Sequence, residues 1–255
     1  MSQLTLNLHA HNISHHPKHA GKSGYEHYRR EFITLFRDTA RYHNRYEVFR
    51  DFAEMGALAV QNVFLRSEAL EDEYLNLARR YKKDDLLNMS RLLGCMAAAL
   101  DCQPGDFLGQ IFSELEIASA EMGQFFTPYY LSSLMARLTT DELFAQLDSA
   151  PFITFHEPAV GAGSMVIAFA EAMFEKGLNP QKQLFVSCND ISPVAVHMCY
   201  LHLSYLGIPA EVSIANTLTL KTQRTYRTPL WYLGGWRDRL ELWSTLNNMR
   251  ALLGD

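Results

Sequence analysis

The chain has 255 residues, 48% hydrophobic and 20% charged, with a net charge of −5. This is the composition of a folded globular protein; it excludes disordered and collagen-like classes and speaks against a strongly basic protein that coats nucleic acid. No apolar run reaches the roughly 18 residues a membrane helix needs, and Cys95, Cys102, Cys188 and Cys199 form no CxxC pair, so we expect no membrane span, no metal site and a reduced, cytoplasmic setting.

In chain order, residues 1–24 read as a flexible polar tail. His9, His11, His15, His16 and His19 lie there without helical spacing or companion cysteines, so a solvated tail is preferred to a metal-binding tract. Residues 25–147 read as a helical domain. Tyr28, Phe32, Leu35 and Phe36 recur at helical spacing, as do Val48, Phe52, Met55, Ala59 and Val63. Glu71 to Tyr81 and Leu86 to Leu100 continue the pattern, with Asp84 or Asp85 as N-caps, and Pro104-Gly105-Asp106 opens a further helix. Arg29, Arg30, Arg37, Arg41, Arg45 and Arg50 fall on the first two helices; a solvated face is preferred there to contact with DNA phosphates.

Residues 148–255 change period. Phe152 to His156 is a short strand, followed by a glycine turn and a helix from Ser164 to Lys176. Gln183 to Cys188 is a second strand, Pro193 to Leu206 a helix, and Ala210 to Ala215 a third strand. Strand, turn, helix, strand, helix, strand describes half of a doubly wound parallel sheet, so the expected fold is α/β with an abbreviated Rossmann-like sheet. Leu220 to Arg227 is mostly polar and is not read as a strand; Leu240 to Leu253 closes the chain as a helix.

The chemistry is expected at the strand ends. Glu157-Pro158-Ala159-Val160-Gly161-Ala162-Gly163 lets the backbone turn sharply above a helix N-terminus. Val166 stands where a dinucleotide fingerprint wants its third glycine, so that fingerprint is not met. Asp190, ending the second strand, suits a pair of ribose hydroxyls, and Asn216, ending the third, suits an adenine edge. His156 reads as a packed strand-end residue, His197 and His202 as structural, Cys188 as a small core residue as readily as a thiol in chemistry, and Met165, Met173 and Met198 as core filling.

With those residues in place, the sequence resembles S-adenosylmethionine-dependent methyltransferases that modify the exocyclic amine of adenine in DNA. In particular it resembles a shortened modification subunit of type I restriction systems. The family's acidic-Pro-Ala then Gly-x-Gly run is similar to residues 157–163, and its acidic residue before a proline-led helix to Asp190-Ile191-Ser192-Pro193. Its Gly-Asp-Thr-Leu is echoed by Ala215-Asn216-Thr217-Leu218. Gly123-Gln124-Phe125-Phe126-Thr127-Pro128 and Asp106-Phe107-Leu108-Gly109 match upstream. The resemblance implies S-adenosylmethionine as cofactor, bound by Phe126, Thr127, Pro128, Glu157, Pro158, Ala159, Gly161, Gly163, Asp190 and Asn216. It implies DNA as a partner, held weakly by this chain alone, and a homodimer or partner subunit that completes the sheet or supplies target recognition.

One part of the family pattern is missing. Its Asn/Asp/Ser-Pro-Pro-aromatic tetrapeptide, which holds the flipped base and accepts hydrogen bonds from the target amine, does not occur, because the chain contains no Pro-Pro. The nearest counterpart is Thr228-Pro229-Leu230-Trp231, so Thr228, Pro229 and Trp231 are the expected catalytic residues. A cofactor-fold protein that binds or regulates without catalysis is the alternative reading. A third is a methyltransferase for another substrate, with Trp231 or Trp236 lining its acceptor pocket.

Overall fold

A computed structural model describes residues 21–117 and 127–253, so Phe126 and the histidine-rich stretch before Gly21 lie outside the described residues. Five helices come first: α1 (Gly21–Asp38), α2 (Arg45–Leu65), α3 (Glu68–Ala78), α4 (Lys83–Cys102) and α5 (Phe107–Glu114). Their periodic aromatic positions supply the core: Phe32, Phe36, Phe49, Phe52, Phe107 and Phe112 are buried together, with edge-on ring contacts such as Phe32–Phe107 at 5.5 Å. α1 already begins at Gly21, inside the stretch read as tail. There Gly24 lies so close to α4 that a Cβ would stand 2.6 Å from Cys102 Sγ.

Local capping chemistry sets most of the boundaries. Asn44 accepts a hydrogen bond from Tyr46 N at the start of α2, and Ser67 accepts one from Leu70 N at the start of α3. Neither Asp84 nor Asp85 caps α4, which corrects the sequence expectation; both sit in its first turn behind Lys82. Asp85 instead accepts hydrogen bonds from Ala40 N (2.7 Å) and Tyr42 Oη (2.8 Å), holding the turn that follows α1.

Three of the six arginines are spent on internal contacts. Arg29 pairs with Glu26 and Glu114, Arg45 donates to the carbonyls of Phe36, Thr39 and His43, and Arg50 donates to buried Asp51. Arg30, Arg37 and Arg41 are exposed.

The sheet follows. α6 (Tyr129–Phe144) and a 3-10 turn (Ala145–Asp148) lead into β1 (Ile153–Glu157), then α7 (Ser164–Glu175), the short α8 (Pro180–Gln183) and β2 (Leu184–Asp190). α9 (Pro193–Tyr205), β3 (Ala210–Asn216), β4 (Lys221–Arg227), α10 (Pro229–Leu233) and α11 (Trp236–Leu253) complete the described chain. The order is β1-β2-β3-β4, with the first three parallel and β4 antiparallel to β3. Alternation places Ile153, Leu184, Val186, Cys188, Ala210, Val212 and Ile214 on one face, packed under α7 and α9. On the other face Phe185 packs with Phe152, Trp231 and Trp236. The abbreviated Rossmann-like sheet inferred from the sequence is therefore present.

β4 is an addition to that expectation. Tyr226 is its single buried residue, and its hydroxyl meets His197 Nε2 at 2.9 Å. Arg224 makes a two-pronged pair with Glu73 of α3, both bonds 2.7 Å. A strand held by ladder bonds and edge ion pairs needs little apolar sequence, so hydrophobic alternation does not reveal it.

α6, numbered with the helical leader in sequence, packs instead on α7 through Ala136 and Phe144, whose ring lies 5.8 Å from Phe169. The leader in turn packs directly on the sheet layer: Ala162, Val194, Met198 and Leu201 belong to the same apolar cluster as α1, α2, α4 and α5.

Candidate functional site

The carboxyl ends of β1, β2 and β3 bring Glu157, Asp190 and Asn216 to one rim of the sheet. Between β1 and α7 the chain turns through Gly161 (φ +56°) and Gly163 (φ +96°), the left-handed region where side chains are strained. A Cβ on Gly163 would also stand 3.1 Å from Cys199 Sγ, so the turn is pressed directly onto α9. Val160 N donates to Asn189 O and Gly163 N to Val160 O, both at 3.0 Å. α7 starts at Gly163 without a side-chain cap.

Asp190 joins two of these elements. One carboxylate oxygen accepts from Gly161 N (3.0 Å) and the other from Ser192 N (2.9 Å), which holds the glycine turn against the start of α9. Each oxygen keeps a further acceptor lone pair, and the residue is half-buried rather than sealed. Ile191 beside it is exposed. Asn216 turns its Oδ1 back onto Leu218 N and Thr219 N, both at 3.0 Å. Glu157 accepts from Ala159 N at 3.2 Å, so Pro158 and Ala159 shape the turn through backbone geometry.

Two residues outside the expected set tie the strand ends together. Asn189 donates to Pro158 O (3.0 Å) and to Thr217 Oγ1 (2.8 Å), and Thr217 donates to Pro158 O (2.6 Å). Thr127 reaches the site through its carbonyl, which accepts from Ser164 Oγ at 3.5 Å, and Pro128 starts α6 by accepting from Leu131 N (2.9 Å).

The Asp106-Phe107-Leu108-Gly109 segment acts from behind the glycine turn. Asp106 caps α5 by accepting from Gly109 N (2.9 Å), and a Cβ on Gly109 would sit 2.4 Å from that carboxylate. Leu108 N donates to His202 Nε2 (3.0 Å), so the ring proton is on Nδ1, which donates to Ala162 O (2.8 Å). Burial lowers the His202 pKa to about 4 and raises that of Asp106 to about 7, so the imidazole is neutral. His202 is thus a strut from α5 through α9 to the glycine turn. The signal that could have found it is an N-cap aspartate paired with a buried histidine on the helix after Asp190.

The expected catalytic group is not brought to this rim. Thr228 lies at the amino end of β3, where its hydroxyl donates to Ile208 O (2.8 Å) and accepts from Ala210 N (2.9 Å). β4 runs back along β3 and returns the chain to the opposite end of the sheet, about 20 Å from Asn216 at ordinary strand rise. Pro229 is the first residue of α10, and Trp231 is buried under the Arg227 guanidinium at 4.7 Å. Thr228, Pro229 and Trp231 therefore stand away from this rim, which corrects the tetrapeptide expectation. His156 is exposed on β1 rather than packed, a second correction. Cys188 is buried, and the adjacent Cys199 thiol is pushed up by burial and by Cys188, so Cys199 does not resemble an activated nucleophile. Among the described residues no cluster of His, Cys, Asp and Glu is arranged to hold a metal ion, and no helix is long and apolar enough to cross a membrane.

Residues 105–230 match the N-6 DNA Methylase family model. No curated protein matches the sequence. Among solved structures, the methyltransferase subunit of a type I restriction-modification system from Streptococcus thermophilus is similar at 13% identity and TM-score 0.39, over 77% of this chain and 58% of that one. A structure from Listeria monocytogenes, described as a class I S-adenosylmethionine-dependent methyltransferase, is similar at 11% identity and TM-score 0.39, over 73% and 53%. A cryo-EM structure of a DrdV–DNA complex is similar at 16% identity and TM-score 0.41, over 77% and 23%. The chain thus spans little more than half the length of the first two. Residues 105–230, which contain the capping segment at Asp106, the four described strands and the rim of Glu157, Asp190 and Asn216, are thus similar to the N-6 DNA methylase family.

Proposed function

We propose that the chain binds S-adenosylmethionine across the carboxyl ends of β1, β2 and β3, as the cofactor-holding part of a methyltransferase acting on the exocyclic amine of adenine in DNA. The observation that carries this reading is Asp190. Its carboxylate is anchored by one backbone N–H on each oxygen and keeps one lone pair on each, a fit for two ribose hydroxyls. On this reading the adenine ring lies against Ile191 and meets the Asn216 amide. The methionine end runs over Gly161 and Gly163 towards Thr127 and Pro128, with Glu157, Pro158 and Ala159 shaping the turn beneath it. The cofactor supplies an electrophilic methyl group; the chain supplies its position, and alignment with the acceptor amine is the main source of acceleration for such a transfer.

A second reading, cofactor binding without transfer, is favoured by the location of Thr228, Pro229 and Trp231 away from the rim. Calorimetry with S-adenosylmethionine followed by transfer of labelled methyl groups to DNA separates the two. Binding with transfer supports the first, binding without transfer the second, and absence of binding overturns both. Asp190→Ala should weaken binding by roughly thirtyfold or more, from about 2 kcal/mol for hydrogen bonds to a charged acceptor. Unchanged affinity would overturn the ribose assignment.

A further inference from the structure

The glycine turn is held from two sides. At the rim Asp190 accepts from Gly161 N, and beneath it His202 Nδ1 donates to Ala162 O, one residue along. Asp190 is half-buried and open to a ligand, whereas His202 is fully buried, so a molecule at the rim meets the carboxylate and not the imidazole. Cys199 and His202, three residues apart on α9, put one helix face under the turn: a Cβ on Gly163 would stand 3.1 Å from Cys199 Sγ.

Such a hold is needed because the turn has little stiffness of its own. Glycine flanks Ala162 on both sides, and glycine rotates readily between conformations that other residues avoid. The peptide joining Ala162 to Gly163 is fixed at both ends, its N–H by Val160 O (3.0 Å) and its carbonyl by His202 (2.8 Å). α7 begins directly after it without a side-chain cap, so the direction of the helix's first N–H groups follows from that peptide. The far side of the imidazole is held as well. Nε2 accepts from Leu108 N at 3.0 Å, and Leu108 follows Phe107, whose ring is locked in the leader by Tyr25 (5.6 Å) and Phe32 (5.5 Å). A neutral imidazole suits this place because it offers one acceptor and one donor pointing apart.

We propose, resting on the cofactor reading of the rim, that His202 is a positioning residue for the cofactor turn. Its Nδ1–H fixes the Ala162–Gly163 peptide for S-adenosylmethionine, and its Nε2 makes that hold depend on α5 of the helical leader. One side chain thus divides two tasks. The bond to Ala162 O preorganises the turn, and preorganisation raises affinity by removing an ordering cost at binding. The bond to Leu108 N docks the leader and contributes to stability. Because both bonds share one ring, cofactor binding and leader docking are coupled, and the coupling is reciprocal.

Two amide substitutions separate the tasks. His202→Asn sets an amide nitrogen near the place of Nδ1, within reach of Ala162 O but short of Leu108 N. His202→Gln sets an amide oxygen near the place of Nε2 and leaves Ala162 O unpaired. Both should lower the thermal midpoint while leaving the far-ultraviolet circular dichroism unchanged. By calorimetry the Gln variant should bind S-adenosylmethionine roughly tenfold or more weakly than the parent, and the Asn variant within about threefold of it. In the cofactor-free protein the Gly163 amide should exchange faster in the Gln variant only. In the parent, which needs no variant to fold, saturating cofactor should slow exchange of the Leu108 amide more than that of buried Leu92 in α4. Equal weakening by the two substitutions, parent-like affinity in the Gln variant, a Gly163 amide indifferent to it, or Leu108 slowed no more than Leu92 would each overturn the proposal while the cofactor reading stands. A parent chain that binds no S-adenosylmethionine would overturn both.

Discussion

Asp106 and His202 share one proton across the fold. In the native chain burial keeps it on the carboxyl, raised to about 7, and off the imidazole, lowered to about 4. In the unfolded chain, with ordinary values of 3.8 and 6.5, the same proton sits on the imidazole between those limits. Both states then bind one proton, so from about pH 4 to 6.5 this pair leaves stability nearly flat. Asp106→Asn keeps a cap acceptor and removes the carboxyl proton. The depressed His202 pKa then acts alone: the unfolded state binds the extra proton, and stability falls as pH drops from 6.5 towards 4, by up to about 1.4 kcal/mol per pH unit. Urea unfolding at several pH values in that window checks this by the difference between variant and parent; parallel profiles would contradict it. The sequence marks Asp106 and His202 as separate residues, because nothing along the chain shows that Leu108 and His202, 94 residues apart, close to a 3.0 Å bond.

Elements decide the fate of the Thr228 segment. A polar strand returning along β3 carries Thr228-Pro229-Leu230-Trp231 to the amino end of the sheet, where the hydroxyl is consumed by Ile208 O and Ala210 N. Thr228→Val should therefore cost about 2 kcal/mol by leaving buried backbone groups unpaired, and leave S-adenosylmethionine affinity unchanged. Thermal unfolding and calorimetry on the same sample check the two halves, and weakened binding without lost stability would restore a site role. The parallel strands were legible because their Val, Ile, Leu and Phe runs are buried by α7 and α9. β4 was not, since a two-sided edge strand with one buried tyrosine carries no apolar period.

Over the whole molecule, the helical leader and the sheet share an apolar cluster. Leu201 of α9 packs within the α1–α5 core, and a Cβ on Gly56 of α2 would stand 3.3 Å from its methyl groups. We expect one cooperative unfolding transition, with Leu201→Ala costing about 2–5 kcal/mol and moving far- and near-ultraviolet circular dichroism together. Two separated transitions would show that residues 25–147 and 148–255 fold as independent units.

Composition and periodicity alone determine that this chain folds, that helices precede a short parallel sheet, and that chemistry gathers where glycine turns and acidic strand ends recur. Those features are local: alternation, caps and glycine spacing act over a few residues. Only the tertiary structure decides that Asp190 holds the glycine turn, that His202 braces it from α5, and that Thr228 faces the wrong end of the sheet. Each depends on which distant backbone groups meet, and hydrogen bonding depends on distance in space, whatever the separation along the chain.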